Sequence, residues 1–263
     1  TKAGTHGTLA VTAASGEYTF TPNSAAINAL SASTSETFTA TVSDGTETTT
    51  VTLTVNLTGV NDTPTVAAPA SFVVTEDVAG NLTFAGTPFA DVDSATVTVT
   101  LSVSDGTITG NAGTGITVGG SATARTFVGT IADLNTYFTT AGKITYLGLL
   151  DNTTSRTLTT AVSDGAQSAS TTSTINFTAV DDVPTLAAIA VSGTEDTTLT
   201  FTAANFTAAY TDLESTALVS ITVVTLPPTG VLKLSGTNVT AGQVITAANL
   251  PNLTYVPAAN ENG

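Results

Sequence analysis

The sequence predicts an all-β protein, built from β-sandwich modules that follow one another along the chain. Three observations predict this fold: Thr and Ser fill most polar positions, apolar residues alternate with polar ones, and the chain repeats itself at a fixed spacing. Its 263 residues allow two or three domains of ordinary size.

The composition is that of strands and turns. Thr is β-branched and favours strands, whereas Ser, Asn, Asp and Gly favour turns. Charged residues make up 10% of the chain, compared with about 25% in typical globular domains. Hydrophobic residues nevertheless reach 41%, which is enough to fill the cores of small sandwiches.

Apolar residues recur at every second position in residues 97–103 and 219–223, which is the period of a half-buried strand. Turn dipeptides separate such segments: Asp44-Gly45, Asp105-Gly106, Gly119-Gly120 and Asp164-Gly165. Short strands spaced by roughly 8–12 residues predict a sandwich of immunoglobulin or cadherin type. Residues 24–30, 131–138 and 247–250 are expected to form short helical turns that cap the sandwich.

The chain contains an internal repeat of 120 residues. Asp44 and Asp164 close two Val-Ser-Asp-Gly turns that are 120 residues apart (164 − 44), and Pro64 and Pro184 have the same spacing. Further blocks align 75–77 with 194–196, 82–84 with 199–201, Phe89 with Phe206, and the segment around Gly7 with that around Gly230. Repeats of this length indicate a tandem array of one structural unit.

The repeat predicts three segments. Residues 1–63 are the C-terminal part of one module, residues 64–183 are a complete module, and residues 184–263 are the N-terminal part of a further one. The last residues, from Asn260 to Gly263, stand where a further Ser-Asp-Gly strand pair is expected. The sequence is therefore expected to come from a much longer protein, with its modules arranged as a linear rod.

The charge balance excludes several kinds of partner. Asp and Glu number 20 against 5 Lys and Arg, for a net charge of −15, so we expect no binding to nucleic acid or anionic lipid. No run of about 18 apolar residues is present to insert into a membrane. The chain has no Cys and no Met, as suits an oxidising, extracellular setting. Any export signal is expected outside this sequence.

Acidic residues recur where modules should meet, and their pattern predicts calcium sites. Ca²⁺ takes six to eight oxygen ligands, which several converging loops can supply together. Asp91 and Asp93 are separated by one residue and could hold one ion from the same face. The predicted ligands at the two junctions are Asn61, Asp62, Glu76, Asp77, Asp91 and Asp93, and then Asp181, Asp182, Glu195, Asp196, Asp212 and Glu214. The alternative is that these residues only stabilise turns. For Asp44 and Asp164, in the two Asp-Gly turns, the calcium interpretation and the turn interpretation are equally open.

Nothing in the sequence predicts catalysis. The single histidine, His6, is more simply an incidental residue than part of a Ser-His-Asp triad, and zinc would need more His or Cys. Paired carboxylates could serve a glycosidase, but the chain has no Trp to stack on sugars. We therefore expect a protein that is not an enzyme.

The repeat resembles known bacterial modules. Residues 7–62 resemble the second half of a VCBS repeat through Gly7-Thr8-Leu9, Ser43-Asp44-Gly45 and Asn61-Asp62, and residues 194–257 are similar to bacterial cadherin-like repeats. Such modules occur in giant adhesins of the RTX and biofilm-associated classes. The resemblance implies secretion, display on the bacterial cell surface, and calcium at the junctions between modules.

Two functions fit these expectations. In the first, the modules are extenders of a surface adhesin, and their partners are neighbouring repeats of the same chain. In the second, copies of the chain assemble into an extracellular sheath, surface layer or matrix filament. Persistent monomers would favour the extender, and polymers that depend on concentration would favour assembly.

Overall fold

The computed structural model describes residues 1–260. It holds 24 strands, three α-helices and one 3₁₀ helix in that range. The chain divides into two compact units, Thr1–Thr178 and Ala179–Gly263. None of the helices in the described range has the length and apolar character needed to cross a membrane.

The first 63 residues form two small antiparallel sheets. Strands β1, β2 and β3 make one sheet, and β4 and β5 make a long hairpin. The ring of Phe38, on β4, packs edge-on against Phe20 with centroids 6.0 Å apart, which joins the two sheets. The elements are β1 Lys2–Ala3, β2 Gly7–Val11, β3 Tyr18–Pro22, α1 Ser24–Asn28, β4 Thr34–Ser43 and β5 Thr48–Leu57.

The rest of the first unit is a sandwich of two sheets. A six-stranded sheet has the order β12-β13-β10-β15-β16-β7, and a three-stranded sheet has the order β11-β14-β8. All pairs are antiparallel except β16 and β7, which run parallel. The strands are β6 Thr65–Val66, β7 Ser71–Thr75, β8 Gly80–Asn81, β9 Phe89–Ala90, β10 Thr96–Ser102, β11 Thr107–Gly110, β12 Thr117–Gly120, β13 Ala124–Thr130, β14 Ile144–Leu147, β15 Arg156–Ser163 and β16 Ser168–Thr178, with helix α2 at Ile131–Thr139.

The core of this sandwich follows directly from the strand period. On β10, Val97, Val99 and Leu101 are at most 2% exposed, while the Thr residues between them point away. Helix α2 closes one end with Phe138, whose ring lies 4.8–5.1 Å from the rings of Phe84, Phe89 and Phe127. The helix begins where the Thr130 hydroxyl accepts a hydrogen bond from the backbone N–H of Asp133.

The second unit is a smaller β structure with its own core. Phe206, Val239, Ile245, Leu250 and Leu253 are buried together. A four-stranded sheet has the order β18-β24-β21-β22, and two further pairs join β17 with β19 and β20 with β23. The elements are β17 Thr185–Leu186, β18 Leu199–Thr200, α3 Ala203–Thr207, β19 Tyr210–Thr211, β20 Ser220–Thr222, β21 Val231–Leu234, β22 Thr237–Asn238, β23 Val244–Thr246, the 3₁₀ helix Ala247–Asn252 and β24 Leu253–Val256.

The predicted all-β fold is confirmed, and so are the three short helical segments, which α1, α2 and the 3₁₀ helix occupy. The module boundaries at 63/64 and 183/184 and the linear rod stay predictions. The expectation of a further strand pair after Asn260 falls on residues from Glu261 onward, outside the described part of the chain.

One predicted alignment within the repeat is wrong by two residues. Gly80 pairs with Tyr146 across β8 and β14, and Leu199 pairs with Tyr255 across β18 and β24. Leu199 therefore corresponds to Gly80 and not to Leu82. Because side chains alternate along a strand, a shift of two residues leaves every side chain on the same face, and the apolar pattern cannot detect it.

The predicted match of Phe89 with Phe206 is also wrong. Phe89 pairs with Val66 between β9 and β6, and Tyr210 holds the corresponding place opposite Leu186 between β19 and β17. Phe206 lies instead on helix α3. The helical turn before β19 displaced the sequence alignment at this point.

Two glycines explain why the repeat keeps Gly at the start of one strand. Gly106 and Gly230 have φ of 77° and 67°, and each lies against a tyrosine of the paired strand. A Cβ atom would lie 2.6 Å from the Tyr146 hydroxyl at the first and 2.5 Å from the Tyr255 hydroxyl at the second. Only glycine permits both the conformation and the contact.

We predict that Phe138→Ala destabilises the sandwich strongly. The side chain is fully buried, so its loss should lower the free energy of unfolding by about 3–5 kcal/mol. Equilibrium urea unfolding followed by tyrosine fluorescence measures this. Val73→Ala is the matched control, because Val73 is 68% exposed on β7 and should shift the midpoint little. Equal midpoints for the two variants would contradict this account of the core.

Candidate metal sites at the module junctions

Residues 60–64, the predicted linker before the middle module, are held by the acidic loop after β9. The backbone N–H of Asp62 donates to Oδ2 of Asp93 at 3.1 Å. Asp62 and Asp93 are both half-buried, and Pro64, two residues after Asp62, is buried. The linker is therefore fixed to the module that it precedes by a bond to a carboxylate.

The turn between β15 and β16 holds the same linker as well. The side-chain amide of Asn61 donates to Oδ2 of Asp164 at 2.8 Å. The side-chain amide of Gln167 donates to the Asn61 carbonyl at 2.6 Å, and its Oε1 bonds with the Thr63 hydroxyl. Asn61 is therefore held to this turn through both its side-chain amide and its backbone carbonyl.

The loop that carries Asp91 and Asp93 has both the features of a turn and those of a cation site. Oδ1 of Asp91 accepts hydrogen bonds from the backbone N–H groups of Asp93 and Ser94, at 3.0 and 2.8 Å. Oδ2 of Asp91 and Oδ1 of Asp93 are buried and accept no hydrogen bond from any group in residues 1–260. Burying a carboxylate oxygen without a partner is costly, and a cation would remove that cost.

The second unit repeats this arrangement. The backbone N–H of Asp182 donates to Oε2 of Glu214 at 3.1 Å, which matches the bond between Asp62 and Asp93. One carboxylate oxygen of Asp182 lies within 4.8 Å of one of Glu214. Asp212 corresponds to Asp91, and its Oδ1 accepts from the N–H of Thr216 at 2.7 Å.

Asp181 is exposed, and its charge acts on Tyr210, the residue that is hydrogen-bonded to Asp212. Burial, the charge of Asp212 and its hydrogen bond with the Tyr210 hydroxyl raise the pKa of Tyr210, and the charge of Asp181 adds to this effect. The carboxylates of Asp181 and Asp212 therefore both contribute to the negative electrostatic potential at Tyr210.

The predicted pairs Glu76-Asp77 and Glu195-Asp196 have different surroundings. Glu76 is fully buried, and its backbone N–H donates to the carbonyl of Thr178, whereas Glu195 is exposed. Asp77 and Asp196 both adopt left-handed backbone conformations, with φ of 60° and 57°. Their environments are therefore only partly equivalent.

Asp77 binds the loop that follows β14, and Asp196 binds the segment that follows β24. Oδ1 of Asp77 accepts from the N–H of Asp151 at 2.9 Å, and Oδ1 of Asp196 accepts from the N–H of Asn260 at 3.0 Å. One carboxylate oxygen of Asp77 lies within 4.8 Å of one of Asp151. Asp151 was not among the predicted ligands, because it has no partner in the 120-residue pattern.

Asp44 and Asp164 are turn residues, as one of the two interpretations proposed. Oδ1 of Asp164 accepts from the N–H groups of Ala166 and Gln167, and Oδ1 of Asp44 accepts from the two corresponding groups. The backbone of Gln167, the amide of Asn61 and the backbone of Ala166 lower the pKa of Asp164. The backbone bonds alone lower the pKa of Asp44.

His6 is not incidental. Its Nδ1 lies 3.5 Å from Oε2 of Glu36, and both side chains are largely buried. Neither residue is among the predicted calcium ligands.

These groups can act chemically as oxygen ligands. The clusters carry carboxylates and carbonyls, and the chain contains no cysteine thiolate. Oxygen ligands select hard cations such as Ca²⁺ over zinc and copper. The acidic clusters in each unit could therefore bind a metal ion.

The fold is that of a mostly β protein with several small sheets in two compact units, whose loops carry acidic clusters that could bind a metal ion. It is similar to mouse clustered PcdhgC3 EC1-3, with 13% identity and a TM-score of 0.32 over 96% of this chain and 75% of that one. The zebrafish RET cadherin-like domains 1 to 4 match with 12% identity and a TM-score of 0.29, over 95% of this chain and 55% of that one.

An endo-fucoidan hydrolase from glycoside hydrolase family 107 also matches, with 17% identity and a TM-score of 0.27 over the whole of this chain. This chain spans only 34% of that hydrolase chain, and the activity is a property of that protein. No protein-family model and no curated protein sequence matches the chain.

We predict that Asn61→Ala raises the pKa of Asp164, because the variant removes one of the donors that lower it. A lowered pKa stabilises the fold above the usual range of an aspartate, and that contribution disappears as the pH falls through the lowered value. In the variant this loss should begin at higher pH. Carboxyl NMR titration measures it, with Asp44 as the control in the same molecule. A shift in both carboxyls, or in neither, would contradict the assigned contact.

Proposed function

We propose that this chain is an extender region of a large, secreted bacterial surface adhesin, in which calcium stiffens the module junctions. Its partners are the neighbouring repeats of the same chain, and it binds no nucleic acid and inserts no segment into a membrane. It supports cell adhesion or biofilm formation by holding other parts of the adhesin away from the cell. It is not an enzyme.

One observation carries the calcium assignment. Oδ2 of Asp91 and Oδ1 of Asp93 are buried without a hydrogen-bond donor in the described residues, in the loop that also holds the linker through Asp62. A bound Ca²⁺ would supply the positive charge that these two oxygens need. Because Asp93 contacts both the loop and the linker, binding there would fix the linker as well.

The repetition of the contact supports a general role at junctions. A backbone N–H of the linker donates to an acid of the following loop at 3.1 Å in both units. A single functional site would need no second copy of this arrangement. A series of equivalent junctions, each needing the same stiffness, requires it in every module.

The proposal that the chain is not an enzyme has separate support. His6, the one histidine, is paired with Glu36, and the chain has neither Cys nor Trp. The clustered carboxylates bond to backbone N–H groups of turns and linkers. Acids in these positions hold the backbone in place, which is a structural role.

Assembly between copies is a second candidate, and one feature favours it. Among residues 1–260, β4 and β5 pair only with each other, so both outer edges of this hairpin carry free backbone groups. Such edges accept strands from other chains. Light scattering over a range of concentrations separates the candidates, since extenders stay monomeric and a filament protein polymerises.

We predict that calcium raises the melting temperature of the chain. A ligand at 100 times its Kd that binds only the folded state adds about 2.7 kcal/mol, which corresponds to several degrees. The double variant Asp91→Asn with Asp93→Asn should lose most of this increase, because asparagine keeps the turn acceptors but removes both charges. Differential scanning calorimetry with calcium and with excess chelator measures the difference.

The matched control is Asp44→Asn, which removes a charge from a turn outside the acidic loops. It should keep the full calcium response. If the melting temperature of the unmodified chain is the same with calcium and with chelator, the calcium assignment is wrong, and the acids are turn residues only.

A further inference from the structure

The middle module contains an ion pair whose two positions correspond to those of a second acid–base pair near the start of the chain. Nε of Arg156 lies 2.7 Å from Oδ1 of Asp105. Asp105 directly precedes Gly106, the glycine that packs against Tyr146. The pair joins the segment before β11 to strand β15 of the opposite sheet.

The same two positions in the first module are occupied by His6 and Glu36. Gly7 packs against the ring of Phe20 as Gly106 packs against Tyr146, so His6 takes the place of Asp105. The hairpins β4–β5 and β15–β16 have identical registers 120 residues apart (156 − 36), so Glu36 takes the place of Arg156. In the middle module the acid precedes the strand and the base is on the hairpin, whereas in the first module the base precedes the strand and the acid is on the hairpin.

Glu36 binds the segment before β2 through three contacts. Its carboxylate accepts from the backbone N–H of Thr5 at 2.5 Å and of His6 at 3.0 Å. Nδ1 of His6 lies 3.5 Å from Oε2 of Glu36, and the two side chains are 18% and 13% exposed. The Glu36 carboxylate thus holds residues 4–7 against β4 through the backbone of Thr5 and His6.

The exchange changes how the contact responds to pH. An arginine stays charged throughout the physiological range, so the pair in the middle module keeps its attraction. A histidine gains or loses its charge between about pH 5 and 8. The pair in the first module therefore attracts strongly only when the imidazole is protonated.

Few other charges surround this pair. Lys2, on β1, lines the same cavity as Glu36. The backbone N–H of Asn23, at the end of β3, donates to the carbonyl of His6, and the Asn23 side chain carries no charge. Within this pair and its lining, His6 is the one residue of a type that ordinarily changes charge near neutral pH.

We propose that His6 and Glu36 form a pH-sensitive latch, which fastens residues 4–7 to strand β4 more tightly in mildly acidic than in mildly alkaline surroundings. This inference goes beyond the proposed adhesin function and does not depend on calcium. It concerns the first module alone, since the corresponding pair in the middle module, Asp105 with Arg156, contains no histidine.

The sign follows from both partners. The attraction needs the charged imidazolium, so it is present in mildly acidic surroundings and is lost as the pH rises through the range in which histidines lose their charge. Burial opposes the charge of Glu36, but the N–H groups of His6 and Thr5 and the charge of His6 outweigh it and lower the Glu36 pKa. The carboxylate contribution is lost only in stronger acid, as the pH falls through that lowered value. The latch is tightest between these limits.

Amide hydrogen exchange tests the latch in the full chain. The amides of Thr5 and His6 should be protected roughly two- to fivefold more at pH 6 than at pH 8, after correction for the intrinsic dependence of exchange on pH. In His6→Gln this difference should disappear, while the bonds to Glu36 remain. The comparison uses the same buffer with chelator, so that calcium binding does not contribute.

Arg156→Gln is the matched control, because it breaks the corresponding pair of the middle module. Thr5 and His6 should keep their pH response in that variant. Equal protection of these two amides at pH 6 and pH 8 in the unmodified chain would overturn the proposal. A pH response that persists in His6→Gln would overturn it too, whatever the outcome of the calcium experiments.

Discussion

The structure depends on one constraint, which is that each strand offers an apolar residue only at every second position. On β10 the buried Val97, Val99 and Leu101 alternate with threonines, so a one-residue slip would turn the whole apolar set toward solvent. With few aromatic rings available, register has to be fixed by other means. Register is fixed instead by turns of defined geometry, by glycines that pack against tyrosines, and by acids that bind backbone N–H groups.

The acids have different roles in different parts of the module. In the Ser-Asp-Gly turns they bind the N–H groups of the same turn. In the loop after β9 they bind a linker that lies about thirty residues earlier in the chain. A low content of lysine and arginine suits this arrangement, because few competing cations are present to draw the carboxylates away from backbone donors. The negative charge that results is what makes a divalent cation a suitable partner.

The fold could be predicted because the strand period and the repeat are both local patterns of sequence. The site could be predicted in part, since Asn61-Asp62 recurs as the acidic pair Asp181-Asp182 after 120 residues, and the acids at 91 and 93 recur at 212 and 214, after 121 residues (212 − 91). The bond between Asn61 and Asp164 could not, because the residues are 103 positions apart and meet only after the sandwich forms. The pairing of His6 with Glu36 was missed because the exchanged acid and base leave no repeated residue type to notice.

The parallel pairing of β7 with β16 determines how the middle module would bear a load. Five residue pairs, from Ser71 with Thr174 to Thr75 with Thr178, join the two strands. Because the strands run parallel, the start of β7 and the end of β16 lie at opposite ends of this ladder. Tension applied through the chain therefore pulls along the strands, and it strains all the hydrogen bonds of this ladder at once. Rupture requires them to shear together, whereas an antiparallel hairpin would open one bond at a time.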